Sequence, residues 1–261
     1  MKIARYLYEN EINYGVVKKN KIKKISGNIF SNFQIDNSFI NKEEVEFLSP
    51  VIPPNIIAIG LNYKKHAEES GSKLPEKPLI FLKATTSLAG NNDLIKLPKM
   101  APNEVDFEAE MAVIIGEKAK DIEPDQALDY VLGFSCANDV SARDCQKKID
   151  KQWARGKSFD TFCPLGPVIE TELNPQNLKI QSILNGEIMQ SSNTADMIFS
   201  VKEIVSYLSK NMTLLPGTVI LTGTPEGVGF AREEPVFLKE GDEIEIKIEN
   251  IGNLKNEVVK E

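Results

Sequence analysis

The chain has 261 residues, a formal net charge of −7, and 41% hydrophobic and 26% charged residues. That length allows one large domain, or one domain with a small appendage, and the acidic balance excludes a broad basic field for nucleic acid or a membrane surface. No apolar run approaches the roughly 20 residues of a membrane span, and the N-terminal MKIARYLYENE lacks the apolar core of a secretory signal. Cys136, Cys145 and Cys163 are odd in number and lack CxxC spacing, which predicts reduced thiols in a cytoplasmic protein and argues against a zinc site.

Residues 1–48 read as a small β unit, with strand-like runs at Lys2–Tyr8, Ile12–Lys18 and Lys21–Ile25. Ser49-Pro50 and Pro53-Pro54 bracket a predicted linker, so the expected division is 1–48 and 49–261. Ile56–Gly60 is a short apolar run consistent with a buried strand. In the following LNYKKHAEESG, Asn62 suits a helix cap and Gly71 a helix end. On that helix His66, the only histidine, and Glu69 are three residues apart and share a face. A carboxylate behind an imidazole fixes its tautomer and raises its basicity, the arrangement of a general base; an exposed helix with an incidental pair satisfies the same spacing. The polar segment Ser72–Pro78 could form, with the helix, a mobile lid.

Pro78–Lys83 is a strand candidate, and Asp106–Gly116, DFEAEMAVIIG, is a stronger one. In the latter, Glu108 and Glu110 fall on one side of a period-two element. Two adjacent carboxylates repel and need a proton or a cation between them; oxygen donors suit a hard divalent ion such as Mg2+, with Mn2+ or Ca2+ as alternatives. A solvated strand end with two uncommitted glutamates also fits. Pro124–Val131 reads as a helix and Leu132–Ala137 as a strand, after which Asp139 is either a ligand residue or a simple N-cap. Trp153–Asp160 is too polar and irregular for core, and its Arg155 or Lys157 could neutralise a substrate carboxylate or be a surface charge. Phe162–Ile169 contains an apolar strand, and Leu178–Gln190 is a hairpin about Asn185-Gly186. Ser200 and Glu203 form a capping box before an apolar face at Val201, Ile204, Val205 and Leu208. Thr218–Leu221 leads into TGTPEGVG, whose backbone N–H groups could approach an anion, and Glu243–Glu249 alternates as a half-buried strand. Many short strands, few helices and no regular βαβ alternation predict an α+β, mostly β architecture rather than a Rossmann or barrel fold.

Six blocks, IGLNYKKHAEE, PLIFLK, DFEAEMAVIIG, GFSCANDVSARD, KSFDTFCPLGP and LTGTPEGVG, occur in an order that resembles the fumarylacetoacetate hydrolase family. The resemblance spans roughly residues 56–230, and residues 1–48 resemble the variable N-terminal unit of many bacterial and archaeal members. It implies a β-rich roll peculiar to the family, a homodimer, and Mg2+ (or Mn2+) held by Glu108, Glu110 and Asp139. It implies His66 and Glu69 as a water-activating dyad, Lys157 as the residue that stabilises negative charge, and Gly60, Asn62, Lys83, Arg143, Gln146 and Thr224 as pocket residues. The activity it implies first is Mg2+-dependent C–C hydrolysis of an acylpyruvate such as fumarylpyruvate or acetylpyruvate, through a metal-bound enolate and activated water. The alternative is a decarboxylase or tautomerase of oxaloacetate, or an isomerase or hydratase of an unsaturated 2-oxo diacid. A metal-stabilised β protein without activity is a distant third.

Overall fold

The computed structural model describes residues 1–261 and contains twenty strands and three α-helices, with short 3-10 and π turns. The fold is mostly β, as the sequence predicts. Its largest element is a thirteen-stranded sheet. At the centre lies the strand Ala109–Ile115, buried at every position, between Val131–Asn138 and Val219–Leu221. An unbroken apolar run suits a strand covered on both faces. Ile56–Gly60 continues the sheet parallel to Val219–Leu221, and Leu79–Lys83 forms its rim.

The strands Lys2–Tyr8, Glu11–Lys18 and Lys21–Gly27 extend this same sheet rather than forming one of their own, because Lys2 and Ile3 pair with Glu170 and Ile169 of the strand Cys163–Glu170. A second, five-stranded sheet covers one face of the first. It contains the hairpin Lys179–Leu184/Glu187–Asn193, whose turn residues Asn185 and Gly186 have φ of 52° and 84°, both on the positive side that a type I′ turn requires. It also contains Ile95–Leu97, which pairs in parallel with the C-terminal strand Gly252–Lys260. No helix is long and apolar enough to cross a membrane.

The helix Val201–Asn211 begins at the expected capping box: Ser200 Oγ accepts from Glu203 N, and Glu203 Oε2 accepts from Ser200 N at 2.7 Å. Its face of Val201, Ile204, Val205 and Leu208 is buried in the main core. Ser200→Ala is expected to cost about 1 kcal/mol, read by urea denaturation, since it leaves one first-turn N–H without its acceptor; an unchanged midpoint would mean that packing alone sets this helix.

Two expected elements differ. Pro124–Val131 winds only a 3-10 turn, Ala127–Tyr130, because Val131 is taken into the next strand and leaves too few residues for an α-helix. Trp153–Asp160 is not wholly irregular: Trp153–Lys157 is a helix, with Gly156 and Lys157 buried.

Candidate active site

The site forms at one end of the sheet's central strands because of strand register. Ala109 pairs with Asn138, so the start of one strand meets the end of the other, and Glu108 and Glu110 come beside Asp139. One ligand atom from each lies within 4.8 Å of the others, and all three residues are buried. Asp139 is therefore not an N-cap. Its carboxylate accepts from Lys83 Nζ on one oxygen and from Lys157 Nζ on the other, the latter at 2.6 Å. Lys157 also donates to Glu108 Oε2 at 2.7 Å, and Arg143 reaches Glu108 Oε1 at 2.7 Å.

These partners divide the two glutamates. Burial pushes Glu108 up, but the Lys157 and Arg143 charges outweigh it and hold the carboxyl below the usual range. Glu110 has no cationic partner within ion-pair distance and accepts only from Gly223 N, at 2.7 Å. Burial, then the Asp139 and Glu108 charges, push its carboxyl well above the usual range. Asp106, Glu108, Glu110 and Asp139 face three cations, Lys83, Arg143 and Lys157, so the ionised cluster carries 3 − 4 = −1. Three buried carboxylates with one charge uncompensated fit a hard divalent ion, since carboxylate oxygens already accepting one hydrogen bond keep a further lone pair. A bound dication would turn the cluster to +1 and favour an anionic substrate.

The proton on Glu110 has a stability consequence. The folded, metal-free chain holds it more tightly than the unfolded chain does. The metal-free fold is therefore most favoured below the ordinary glutamate range and loses that stability as pH rises toward the raised value. Metal-free Glu110→Gln is expected to melt higher than metal-free wild type at neutral pH, by an amount that shrinks toward pH 4. Added Mg2+ is expected to raise the melting temperature of wild type only. A Gln variant that is less stable at every pH would refute this account of Glu110.

A cavity of about 250 Å³ opens onto this cluster. His66, 8% exposed, is on its wall, and His66 Nδ1 lies 3.1 Å from Glu69 Oε2. The other oxygen of Glu69 accepts from Gly227 N at 2.8 Å. The TGTPEGVG loop thus turns its N–H groups toward anions, but these are the protein's own carboxylates: Gly223 toward Glu110 and Gly227 toward Glu69. Both glycines have φ of 93°, the left-handed region that a side chain resists.

Of the remaining expected pocket residues, Gly60, Arg143, Gln146 and Thr224 line the cavity. A Cβ on Gly60 would collide with the Trp153 ring, which packs edge-on against Phe81. Asn62 and Lys83 lie behind the wall instead. Asn62 does not cap the helix Lys64–Glu69, which has no side-chain cap; its amide bonds Thr222 O at 2.7 Å and Phe199 N at 2.8 Å, tying three loops together. Lys83 is occupied with Asp139 and the Phe162 carbonyl. Arg155, the other candidate cation, pairs with Asp150 at 3.3 Å and is not on the cavity wall.

Two supporting residues escape sequence reading. Asp106 is fully buried and accepts from Arg143 Nε and Nη2 at 2.9 and 2.8 Å and from the backbone N–H groups of Phe107, Gly229 and Phe230. Gln190 accepts from Ala109 N, between the two glutamates, and donates to Thr224 Oγ1. The proximity of Asp106 to the acidic pair was a signal for the first; no local pattern marks the second. A π-helical turn over Asp144–Ile149, also unanticipated, brings Gln146 Oε1 to Arg143 Nη1 at 2.9 Å.

The family described as "Fumarylacetoacetate (FAA) hydrolase C-terminal" matches residues 55–259, and one described as "Rv2993c-like, N-terminal" matches residues 1–50. The chain belongs to the fumarylacetoacetate hydrolase family. A Rattus norvegicus relative named oxaloacetate tautomerase Fahd2a, mitochondrial, is 49% identical over 84% of this chain and 71% of its own. A 5-carboxymethyl-2-hydroxymuconate delta-isomerase from Mycobacterium smegmatis superposes with a TM-score of 0.91 at 38% identity, covering 100% of both chains. A fumarylacetoacetate hydrolase from Exiguobacterium antarcticum does so with 0.91 at 36% identity, again over 100% of both. Members of this family with different reactions in their names thus share the architecture, and the chemistry must be argued from the site.

Proposed function

We propose that this fumarylacetoacetate hydrolase family member is a divalent-metal-dependent enzyme that interconverts the keto and enol forms of oxaloacetate or a close 2-oxo diacid. The observation that carries the reading is that one carboxylate-backed histidine, His66, shares a small cavity with three buried carboxylates. The name of the rat relative supports the same choice over hydrolysis.

Glu108, Glu110 and Asp139 would hold the ion, with Mg2+ favoured by an all-oxygen donor set. When bound, it supplies positive charge where the 2-oxo oxygen becomes negative. The chain's own residues do the rest. Glu69 accepts from Nδ1, so that the Nε2 lone pair of His66 is the base. His66 removes a proton from C3, acidified by the flanking carbonyl, and returns it to the 2-oxo oxygen; the reverse transfer regenerates the ketone, with no atom gained or lost. Lys157 donates to Glu108 and Asp139, holds the Glu108 carboxyl below its usual range, and adds charge beside the reacting end. The three unpaired, buried cysteines support a reducing compartment.

The dyad also favours a second reading. The same base could deprotonate water to attack the 4-oxo carbon of an acylpyruvate, releasing pyruvate and a carboxylic acid. Metal-stripped and Mg2+-restored protein assayed on oxaloacetate and acetylpyruvate separates the two. Metal-dependent approach to the keto–enol equilibrium without pyruvate formation is expected. Cleavage of acetylpyruvate to pyruvate and acetate, without tautomer exchange, would replace the tautomerase with the hydrolase, and pyruvate from oxaloacetate would indicate a decarboxylase.

A further inference from the structure

Three cationic side chains, Arg143, Lys147 and Lys157, line the cavity. Two are already committed to carboxylates: Arg143 to Asp106 and Glu108, and Lys157 to Glu108 and Asp139. Lys147 makes no ion pair with any Asp or Glu within 4.0 Å, although the chain is rich in acid; its Nζ instead rests 3.3 Å from the centroid of the Phe230 ring. A second cation shares that ring, with the Arg143 guanidinium 4.3 Å from its centroid. A ring face is a weak partner for an ammonium compared with a carboxylate.

The position of Lys147 is built rather than incidental. It follows Gln146 in the π-helical turn, and Gln146 is fastened to Arg143. Phe230 is fastened from the other side, its backbone N–H donating to Asp106 at 3.1 Å. Both the lysine and its ring are thus referenced to the same Asp106–Arg143 pair that borders the carboxylate cluster. We infer that Lys147 is the specificity-determining residue for the second carboxylate of the substrate, selecting 2-oxo diacids over 2-oxo acids with an uncharged far end. This deepens the proposed function and rests on it for the 2-oxo head of the ligand. Burial and the neighbouring Arg143 charge pull the Lys147 ammonium down to about 8, and an anion brought beside it reverses that pull. Arg143 cannot serve as well, because turning to a substrate would leave Asp106 buried without its cation.

The test measures binding and turnover separately. Mg2+-loaded wild type, Lys147→Met and Lys147→Arg are titrated calorimetrically with oxaloacetate and with its 4-methyl ester, which keeps the 2-oxo acid head and removes the far charge. Wild type is expected to prefer the diacid by about tenfold, the size of one charge-assisted contact near a protein surface. Lys147→Met should bind the two within about twofold of each other, with its affinity for the ester unchanged, and Lys147→Arg should restore the preference. Equal preference in wild type and Lys147→Met overturns the assignment, as does a loss of affinity for both ligands together, the result of a merely structural role. If the preference behaves as expected while no tautomer exchange is detected, the assigned reaction falls and the role of Lys147 stands. If wild type binds neither ligand, both fall.

Discussion

Replacing His66 with Ala is expected to lower turnover by about 10²–10⁴-fold, the usual contribution of a positioned acid–base group. His66 is the chain's only histidine and is backed by the Glu69 carboxylate, whereas Lys147, the cavity amine pulled down to about 8, rests on the Phe230 ring with no carboxylate behind it. Lys157 is held charged, since the Asp139 and Glu108 carboxylates outweigh the effect of burial on its ammonium. In the proposed reading Glu110 is committed, with Glu108 and Asp139, to holding the cation. Mg2+ affinity should be nearly unchanged in His66→Ala, because the three carboxylates do not hydrogen-bond to the imidazole. Glu69→Gln should cost less, roughly tenfold, by loosening the ring's orientation while leaving Nε2 in place. The measurement is the initial rate of tautomer exchange in variants matched for Mg2+ occupancy by direct titration. Activity within about threefold of wild type in His66→Ala would remove the histidine from the mechanism.

The parts of the site legible in the sequence are those written in local spacing. Glu108 and Glu110 are two apart, His66 and Glu69 three apart on a helix, and Ser200 and Glu203 form a cap; each needs only one element's geometry. Asn185-Gly186 announced its hairpin because only a few residues tolerate both positive φ values. What was not legible depends on partners distant in the chain. Lys157 is singled out by the resemblance and not by local spacing: it sits in a polar segment, yet it is buried because Glu108 and Asp139, from elsewhere in the chain, compensate its charge. Asn62 is an ordinary helix-cap residue by local rule, but two distant segments, at Phe199 and Thr222, claim its amide first. The pairing of Lys2–Tyr8 with Cys163–Glu170 spans most of the chain and has no local signature. The alternation of those early strands marked them as strands without saying which sheet they would join.

Asp106→Asn is expected to be the most damaging conservative change in the protein. Asp106 accepts five hydrogen bonds through two oxygens: Oδ1 from Phe107 N and Gly229 N, and Oδ2 from Arg143 Nε, Arg143 Nη2 and Phe230 N. An asparagine has the same shape but offers one oxygen, so its amide nitrogen must face donors on one side. Arg143 loses its paired charge whichever way the amide turns, and the amide nitrogen then faces either Phe107 N and Gly229 N or the Arg143 and Phe230 N–H groups, which lose their acceptor. Breaking a buried ion pair from one side costs about 3–5 kcal/mol, which for a chain of this size corresponds to a melting temperature lower by roughly 10 °C. Arg143 would then rely on Glu108 more heavily and compete with a cation for its oxygen, so Mg2+ affinity should fall by about 10–100-fold, the usual scale for loss of a group that orients a ligand. Asp106→Asn/Arg143→Gln should recover part of the stability, because the uncompensated charge is gone. A single variant that melts within about 2 °C of wild type, or a double variant as unstable as the sum of its singles, would show that Asp106 and Arg143 do not act as a unit. The same pair fastens the Phe230 loop to the start of the glutamate strand. Its stability and the geometry of the site are therefore expected to change together, with Mg2+ affinity lost in the variants that melt early and regained in those that do not.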